Sequence, residues 1–317
     1  MTTFAFLITV LGAGTMGPGI AQTFAMGGYQ VTMWTRSAST RDKAIASLES
    51  QLNTFEEEGL LSEDKAAIMA RISFASTVEE AIAGADFIQE TIVEKKDAKE
   101  ELYAKLAACV PADVIIASNT SALNIFEVVP EQLLPQMTIC HWYAPPHVIP
   151  LVEVVKSEQA PQEYADIAVT MLNNCGKTAV FMKKFIKGYI VNRLQQCLNQ
   201  EVFYLLDNGY CDAEAIDLAA KASFIPRACV LGLCKRMDFG GVDMTFNNFK
   251  NKSYAAPQWE NPPTTLQTLV DANKLGIKTG EGFYSYEGVD MEALKAKRDK
   301  QLFEIFNVTK KFMADPV

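Results

Sequence analysis

The chain has 317 residues, 49% hydrophobic and 21% charged, the balance of an ordinary soluble globular protein long enough for two domains. With 38 Asp and Glu against 29 Lys and Arg, and a pI near 5.0, it is a poor candidate for nonspecific nucleic-acid binding or for attraction to anionic membranes. Seven scattered cysteines form no C-x-x-C pair, so neither a metal site nor a disulfide framework is expected, and a reducing cytoplasm is the matching location.

The apolar run from Phe4 to Leu11 is short, lacks a basic flank and leads straight into glycines. It reads as a first buried strand, not as a signal peptide or a membrane span. A helix over 17–27 and a strand over 30–35 follow, then charged helical stretches across about 38–69. Short apolar strands are expected at 72–75, 85–89 and 114–118, separated by helical segments such as 95–108. This alternation predicts an α/β fold with a parallel sheet and helices on both faces, extended by strands at 136–141, 151–155 and 178–182. From about residue 188 strand-like runs give way to amphipathic helical patterns, as in VNRLQQCLNQEVFYLLDNG, which stops at Gly209. A boundary at Ile186-Lys187-Gly188 is therefore expected, with a nucleotide-binding domain over 1–187, an all-helical domain over 188–317 and a substrate cleft between them.

Gly12-Ala13-Gly14-Thr15-Met16-Gly17 follows the strand ITVL and opens a helix, the context in which a G-x-G-x-x-G string binds a dinucleotide in a Rossmann-type domain. Gly12 permits the tight turn, Gly14 lets the backbone approach a pyrophosphate, and Gly17 allows close helix–strand packing. The helix start offers N–H groups and a favourable dipole to the phosphates. An acidic residue after the second strand would bind the adenosine ribose and select NAD; here Thr35-Arg36-Ser37 stands instead. A guanidinium and two hydroxyls can hold a 2′-phosphate, so NADP(H) is the preferred cofactor and NAD(H) the alternative.

HWYAPPHVIPLVEVV, residues 141 to 155, carries both histidines of the chain. Leu151 to Val155 reads as a buried strand in which Glu153 needs a partner, and His141, before a double-proline turn, is the nearest one. Such a pair is either a general acid/base site or a core histidine in a structural ion pair. His147 is assigned a structural or surface role. Lys95, Lys96, Lys99 and Lys105 read as a solvated helix face.

With GAGTMG, SNTSAL, HWYAPPHVIPLVEVV, KGYIVNRL and KTGEGFYSY in this order, the chain resembles the L-3-hydroxyacyl-CoA dehydrogenase family over nearly its whole length. Its size is similar to the short 3-hydroxybutyryl-CoA dehydrogenase subgroup, and VLGLCKRMDFGGVD is similar to the lambda-crystallin/L-gulonate dehydrogenase branch. The resemblance implies that His141 is the general acid/base and Glu153 its orienting partner, with Ser121 and Asn192 bonding the substrate oxygen. It places Asn119 near the nicotinamide and Glu90 and Lys95 where the chain approaches the cofactor. It also implies an acyl-CoA substrate and a homodimer formed through the C-terminal domain. Two positions depart from the family pattern: Thr35 replaces the usual acid, and Ala144 stands where an asparagine is frequent. A dehydrogenase of a free hydroxy acid, such as L-gulonate or carnitine, and a non-catalytic crystallin-like protein are the other readings.

Overall fold

The strands ending at the site are buried on both sides, which explains why they read as short apolar runs without alternation. All residues of β4 (Phe87–Glu90), β5 (Ile115–Ser118) and β6 (Met137–Trp142) are buried. With β1 (Leu7–Leu11), β2 (Gln30–Trp34), β3 (Ile72–Ala75), β7 (Leu151–Lys156) and β8 (Thr178–Phe181) they form one sheet, ordered β3-β2-β1-β4-β5-β6-β7-β8. The computed structural model describes residues 6–252 and 257–315, so the expected strand start at 4–5 lies outside the described residues. The chain divides into two compact units after Ile190.

In the first unit, the helices are α1 (Gly17–Met26), α2 (Ala38–Glu57), α3 (Lys65–Ala70), α4 (Val78–Ile82), α5 (Lys96–Cys109) and α6 (Gln162–Asn174). The pleat of β1 divides the core. Ile8 and Val10 join Phe24 of α1, Phe87 and Trp142 in one cluster, whereas Leu11 joins Leu102 and Leu106 of α5 in another. Phe24 meets Trp142 edge to face at 5.5 Å and Phe87 at 6.2 Å, fixing α1 against the ends of β4 and β6. Burying a side chain of that size stabilises by roughly 1.5–3 kcal/mol.

Strands β1 to β6 pair in parallel, as the alternation predicts, but β7 runs antiparallel to β6. Only residues 143–150 connect those two strands, too few for the crossover a parallel pair needs. The reversal sets His141 directly opposite Glu153 in the register.

The second unit is helical: α7 (Val191–Asp207), α8 (Ala213–Ala219), α9 (Ile225–Leu231), α10 (Leu233–Gly240), α11 (Val242–Lys250), α12 (Thr264–Asp271) and α13 (Met291–Ala314), with a π-helical segment, Ala220–Phe224, between α8 and α9. None of these helices contains a buried residue, and Leu218 and Phe249 are 69% and 83% exposed. Among the described residues no helix is long and apolar enough to cross a membrane, and no cluster of His, Cys, Asp and Glu is suited to a metal.

Candidate active site

The three motif glycines meet different demands. Gly12 has φ +119°, and a Cβ there would lie 2.6 Å from the Thr91 carbonyl oxygen. A Cβ on Gly17 would lie 2.0 Å from the Gly12 carbonyl oxygen, so these two positions close the turn onto itself. At Gly14 nothing stands within 4 Å of a built Cβ, and Gly14 and Thr15 are exposed. Met16, at the start of α1, makes no side-chain cap bond. An open glycine beside an uncapped helix start fits the pyrophosphate of a dinucleotide.

Past β2, Thr35 is half-buried while Arg36 and Ser37 are exposed. Ser37 Oγ caps α2 by accepting the Thr40 amide at 3.2 Å, so one of the two hydroxyls read for phosphate binding already serves the helix.

The strand pairing brings the acid/base candidates together. His141 Nδ1 lies 3.1 Å from Glu153 Oε2, and Nε2 lies 3.2 Å from Ser121 Oγ. A carboxylate only accepts hydrogen bonds, so the Nδ1 hydrogen points at Glu153 and Nε2 is left to exchange a proton. Glu153 is 0% exposed and also accepts the Tyr143 hydroxyl at 2.7 Å and the Ile190 amide at 3.0 Å.

Tyr189, at φ +49°, follows Gly188, at φ +84°. Its ring stacks on His141 at 4.3 Å, and its hydroxyl donates to the Thr120 carbonyl at 2.6 Å. A left-handed non-glycine residue costs on the order of 1–3 kcal/mol and persists where its contacts over-determine it. Burial, with the charges of Glu94 and Glu153, holds the Tyr189 phenol above its ordinary value.

Glu94 and Tyr143 were not singled out in the sequence, yet both bear on this pair. Glu94 Oε1 accepts the Thr120 hydroxyl at 2.6 Å, the Ser121 and Ala122 amides at 2.9 Å each and the Leu123 amide at 3.3 Å. One carboxylate oxygen thus gathers the loop that carries Ser121. Burial alone would raise the Glu94 pKa, but the Thr120 hydroxyl, the Ala122 and Leu123 amides and Lys99 outweigh it and hold it below the ordinary 4.5. A lowered carboxylate contributes stability that is complete above its ordinary value and lost as pH falls through the depressed one. Glu94→Gln is therefore expected to destabilise the protein at neutral pH, with the gap closing below 4.5, as urea midpoints on both sides of that value would register. A gap independent of pH would show that the carboxylate charge is not what holds the loop.

Glu90, at the end of β4, keeps its side chain inside the protein. It is 0% exposed, and Lys99 Nζ donates to its oxygens at 2.7 and 2.8 Å, Tyr103 at 2.9 Å and Ser118 at 2.6 Å. Lys99 is likewise 0% exposed, which corrects its assignment to a solvated helix face. Lys96 and Lys105 do lie on that face, paired with Glu100 and Glu101, and Lys95 is exposed at the start of α5. Burial, then the Glu90 charge, pushes the Tyr103 phenol well up, so it remains a donor.

Asn119 spends its amide on the scaffold, donating to Thr91 Oγ1 at 3.1 Å and accepting the Trp142 amide at 2.8 Å. His147 packs against Gly19 and Phe55, in keeping with a structural role. Asn192 is the second residue of α7, in the other unit, and its role rests on the resemblance alone.

The model of the 3-hydroxyacyl-CoA dehydrogenase NAD binding domain matches residues 7–185, and that of the 3-hydroxyacyl-CoA dehydrogenase C-terminal domain matches residues 188–286. A probable 3-hydroxybutyryl-CoA dehydrogenase of Bacillus subtilis is 34% identical over 283 residues, 88% of this chain and 97% of that protein. The crystal structure of a 5-formyl-3-hydroxy-2-methylpyridine 4-carboxylic acid 5-dehydrogenase, described as an NAD+ dependent dismutase, matches with a TM-score of 0.85 at 26% identity, over 97% of this chain and 99% of that one. The (S)-3-hydroxybutyryl-CoA dehydrogenase PaaH1 from Ralstonia eutropha matches with a TM-score of 0.72 at 28% identity, over 90% and 100%. With both domains matched in order around a paired His141 and Glu153, this chain belongs to the 3-hydroxyacyl-CoA dehydrogenase family of oxidoreductases.

Proposed function

We propose that the protein interconverts a short-chain 3-hydroxyacyl-CoA and its 3-oxoacyl-CoA, with His141 as the acid and base. The observation that carries this is the chain of contacts from Glu153 through His141 to Ser121, at 3.1 and 3.2 Å. A nicotinamide dinucleotide, when bound, supplies or takes the hydride at C3. In reduction, protonated His141 gives the Nε2 proton to the substrate oxygen while Glu153 stabilises the imidazolium. Ser121 donates to that oxygen as charge builds, an interaction strongest in the transition state. In oxidation, neutral His141 takes the hydroxyl proton through the same nitrogen.

For the cofactor, the absence of an acid at Thr35 and the exposed Arg36 support NADP(H), while the NAD+ dependence named for the similar dismutase supports NAD(H). Seven free cysteines are consistent with a cytoplasmic site of action. A second substrate reading, a free carboxylic acid in place of the thioester, is favoured by the higher TM-score to the pyridine carboxylate dehydrogenase, 0.85 against 0.72.

Reduced-nicotinamide absorbance with acetoacetyl-CoA, run in parallel with NADPH and NADH, tests both parts. Oxidation of NADPH in preference to NADH is the expected result. Preference for NADH would overturn the cofactor reading alone. Inactivity with both, from protein that binds a dinucleotide, would overturn the thioester reading and favour the free acid.

Large apolar side chains of the second unit, Leu218, Phe246 and Phe249 among them, are exposed in the single chain, which supports a homodimer through that unit. Sedimentation is expected to give twice the 34.9 kDa of one chain, and a monomer at micromolar concentration would overturn this reading.

A further inference from the structure

Tyr143 stands just past the end of β6, two residues after His141, and so shares its face of the strand. Its hydroxyl donates at 2.7 Å to Glu153 Oε2, the same oxygen that His141 Nδ1 meets at 3.1 Å. The other oxygen, Oε1, takes the Ile190 amide at 3.0 Å. The two rings meet edge to face, with centroids 4.7 Å apart. Glu153 has no exposed surface, so its charge is answered by protein donors in place of bulk water.

We propose that Tyr143 is a positioning residue for proton transfer: its phenol shares one Glu153 oxygen with the His141 imidazole and so sets how firmly His141 holds its proton. An O–H···O⁻ bond stabilises the carboxylate whether or not the imidazole is charged. With the phenol in place, Glu153 tolerates a neutral His141, because part of its charge is already met. The imidazolium then gains less from Glu153 than it would from a carboxylate with one donor fewer. Removing the hydroxyl takes one donor away from a buried carboxylate oxygen, and protonating His141 is the direct compensation.

The other groups facing His141 do not supply this control. Ser121, from the loop after β5, meets the opposite ring nitrogen. Tyr189, from the segment before α7, presents its ring face and spends its hydroxyl on Thr120. Glu94 commits Oε1 to the Ser121 loop and faces Lys99 with Oε2 at 3.4 Å. Tyr143 alone among these joins His141 on the Glu153 oxygen.

The catalytic consequence rests on the dehydrogenase reading, but the protonation of His141 can be followed without any turnover. The chain has only two histidines, so a nitrogen-15 imidazole spectrum is simple, and His141→Ala assigns it. Tyr143→Phe keeps the ring and deletes the hydroxyl. The His141 titration midpoint is expected to rise by about one pH unit, a tenfold change in proton affinity. The acid limb of kcat/KM for alcohol oxidation should move up with it, while KM for the dinucleotide stays in place. A fluorinated tyrosine at 143, a stronger donor with the same packing, should move the midpoint down and serves if the phenylalanine variant folds poorly.

A midpoint that stays put, falls in Tyr143→Phe, or is absent in both proteins would overturn the proposal. So would a fall in kcat with an unshifted profile, which is what lost packing produces. Absence of turnover on every substrate, with the midpoint shifted as expected, would instead overturn the dehydrogenase reading and leave the role of Tyr143 standing.

Discussion

Replacing His141 with alanine is expected to lower turnover by about 10²- to 10⁴-fold while dinucleotide affinity is retained, the range typical of a lost general acid/base. The two effects separate because the two parts of the site are built from different elements. The glycine turn lies between β1 and α1, whereas His141 lies near the end of β6 and meets Glu153 of β7. Removing the imidazole deletes the group that exchanges the substrate proton and leaves Ser121 with no ring nitrogen to face, but Gly12, Gly14 and Gly17 keep their contacts. Steady-state rates together with quenching of tryptophan fluorescence by the dinucleotide check both halves. Loss of cofactor binding would mean that His141 supports the fold, and an unchanged rate would remove it from the chemistry.

A comparably large effect, on stability, is expected at Lys99. Lys99→Met leaves Glu90 buried with its cationic partner gone, and breaking a buried ion pair from one side costs about 3–5 kcal/mol. In a unit of this size each kcal/mol shifts Tm by about 2–4 °C, so a fall of roughly 6–20 °C should appear in calorimetry. The double variant Glu90→Gln with Lys99→Met should recover part of that loss, because Glu90 then carries no unpaired buried charge, although Glu94 still loses its 3.4 Å contact with Lys99. Lys96→Met, on the exposed side of the same helix, should change Tm little, since surface pairs are worth about 0–1 kcal/mol. Equal effects at 96 and 99 would show that the buried pair does not carry the stability assigned to it.

Lys99 also shows how a side chain's depth escapes a linear reading. In a run of charged letters it looks solvated, yet it shares a helix face with Leu102, Tyr103 and Leu106, all buried. The spacing was in the sequence; the depth came from β4, whose Glu90 lies beneath that face. Glu94 left no comparable trace. Three of its partners are backbone amides, 27 to 29 residues away, and amides carry no side-chain pattern. The left-handed turn at Tyr189 is equally silent, since contacts to residues distant in the chain, the stack on His141 and the bond to Thr120, hold it.

What could be read directly was encoded over short spans. The glycine turn, the strand–helix alternation and the start of the helical second half follow from turn chemistry and from periods of two or 3.6 residues. The pairing of His141 with Glu153 was readable for the same reason, because a short proline-containing connection returns the chain beside itself. Tertiary structure alone decided the antiparallel turn of β7, the burial of Glu90 with Lys99, the capture of the Ser121 loop by Glu94 and the sharing of one Glu153 oxygen by His141 and Tyr143. Local propensity sets which way a residue faces within its own element. Which charge it meets and how deep it lies depend on the elements packed over it, and those contacts join residues far apart in the chain.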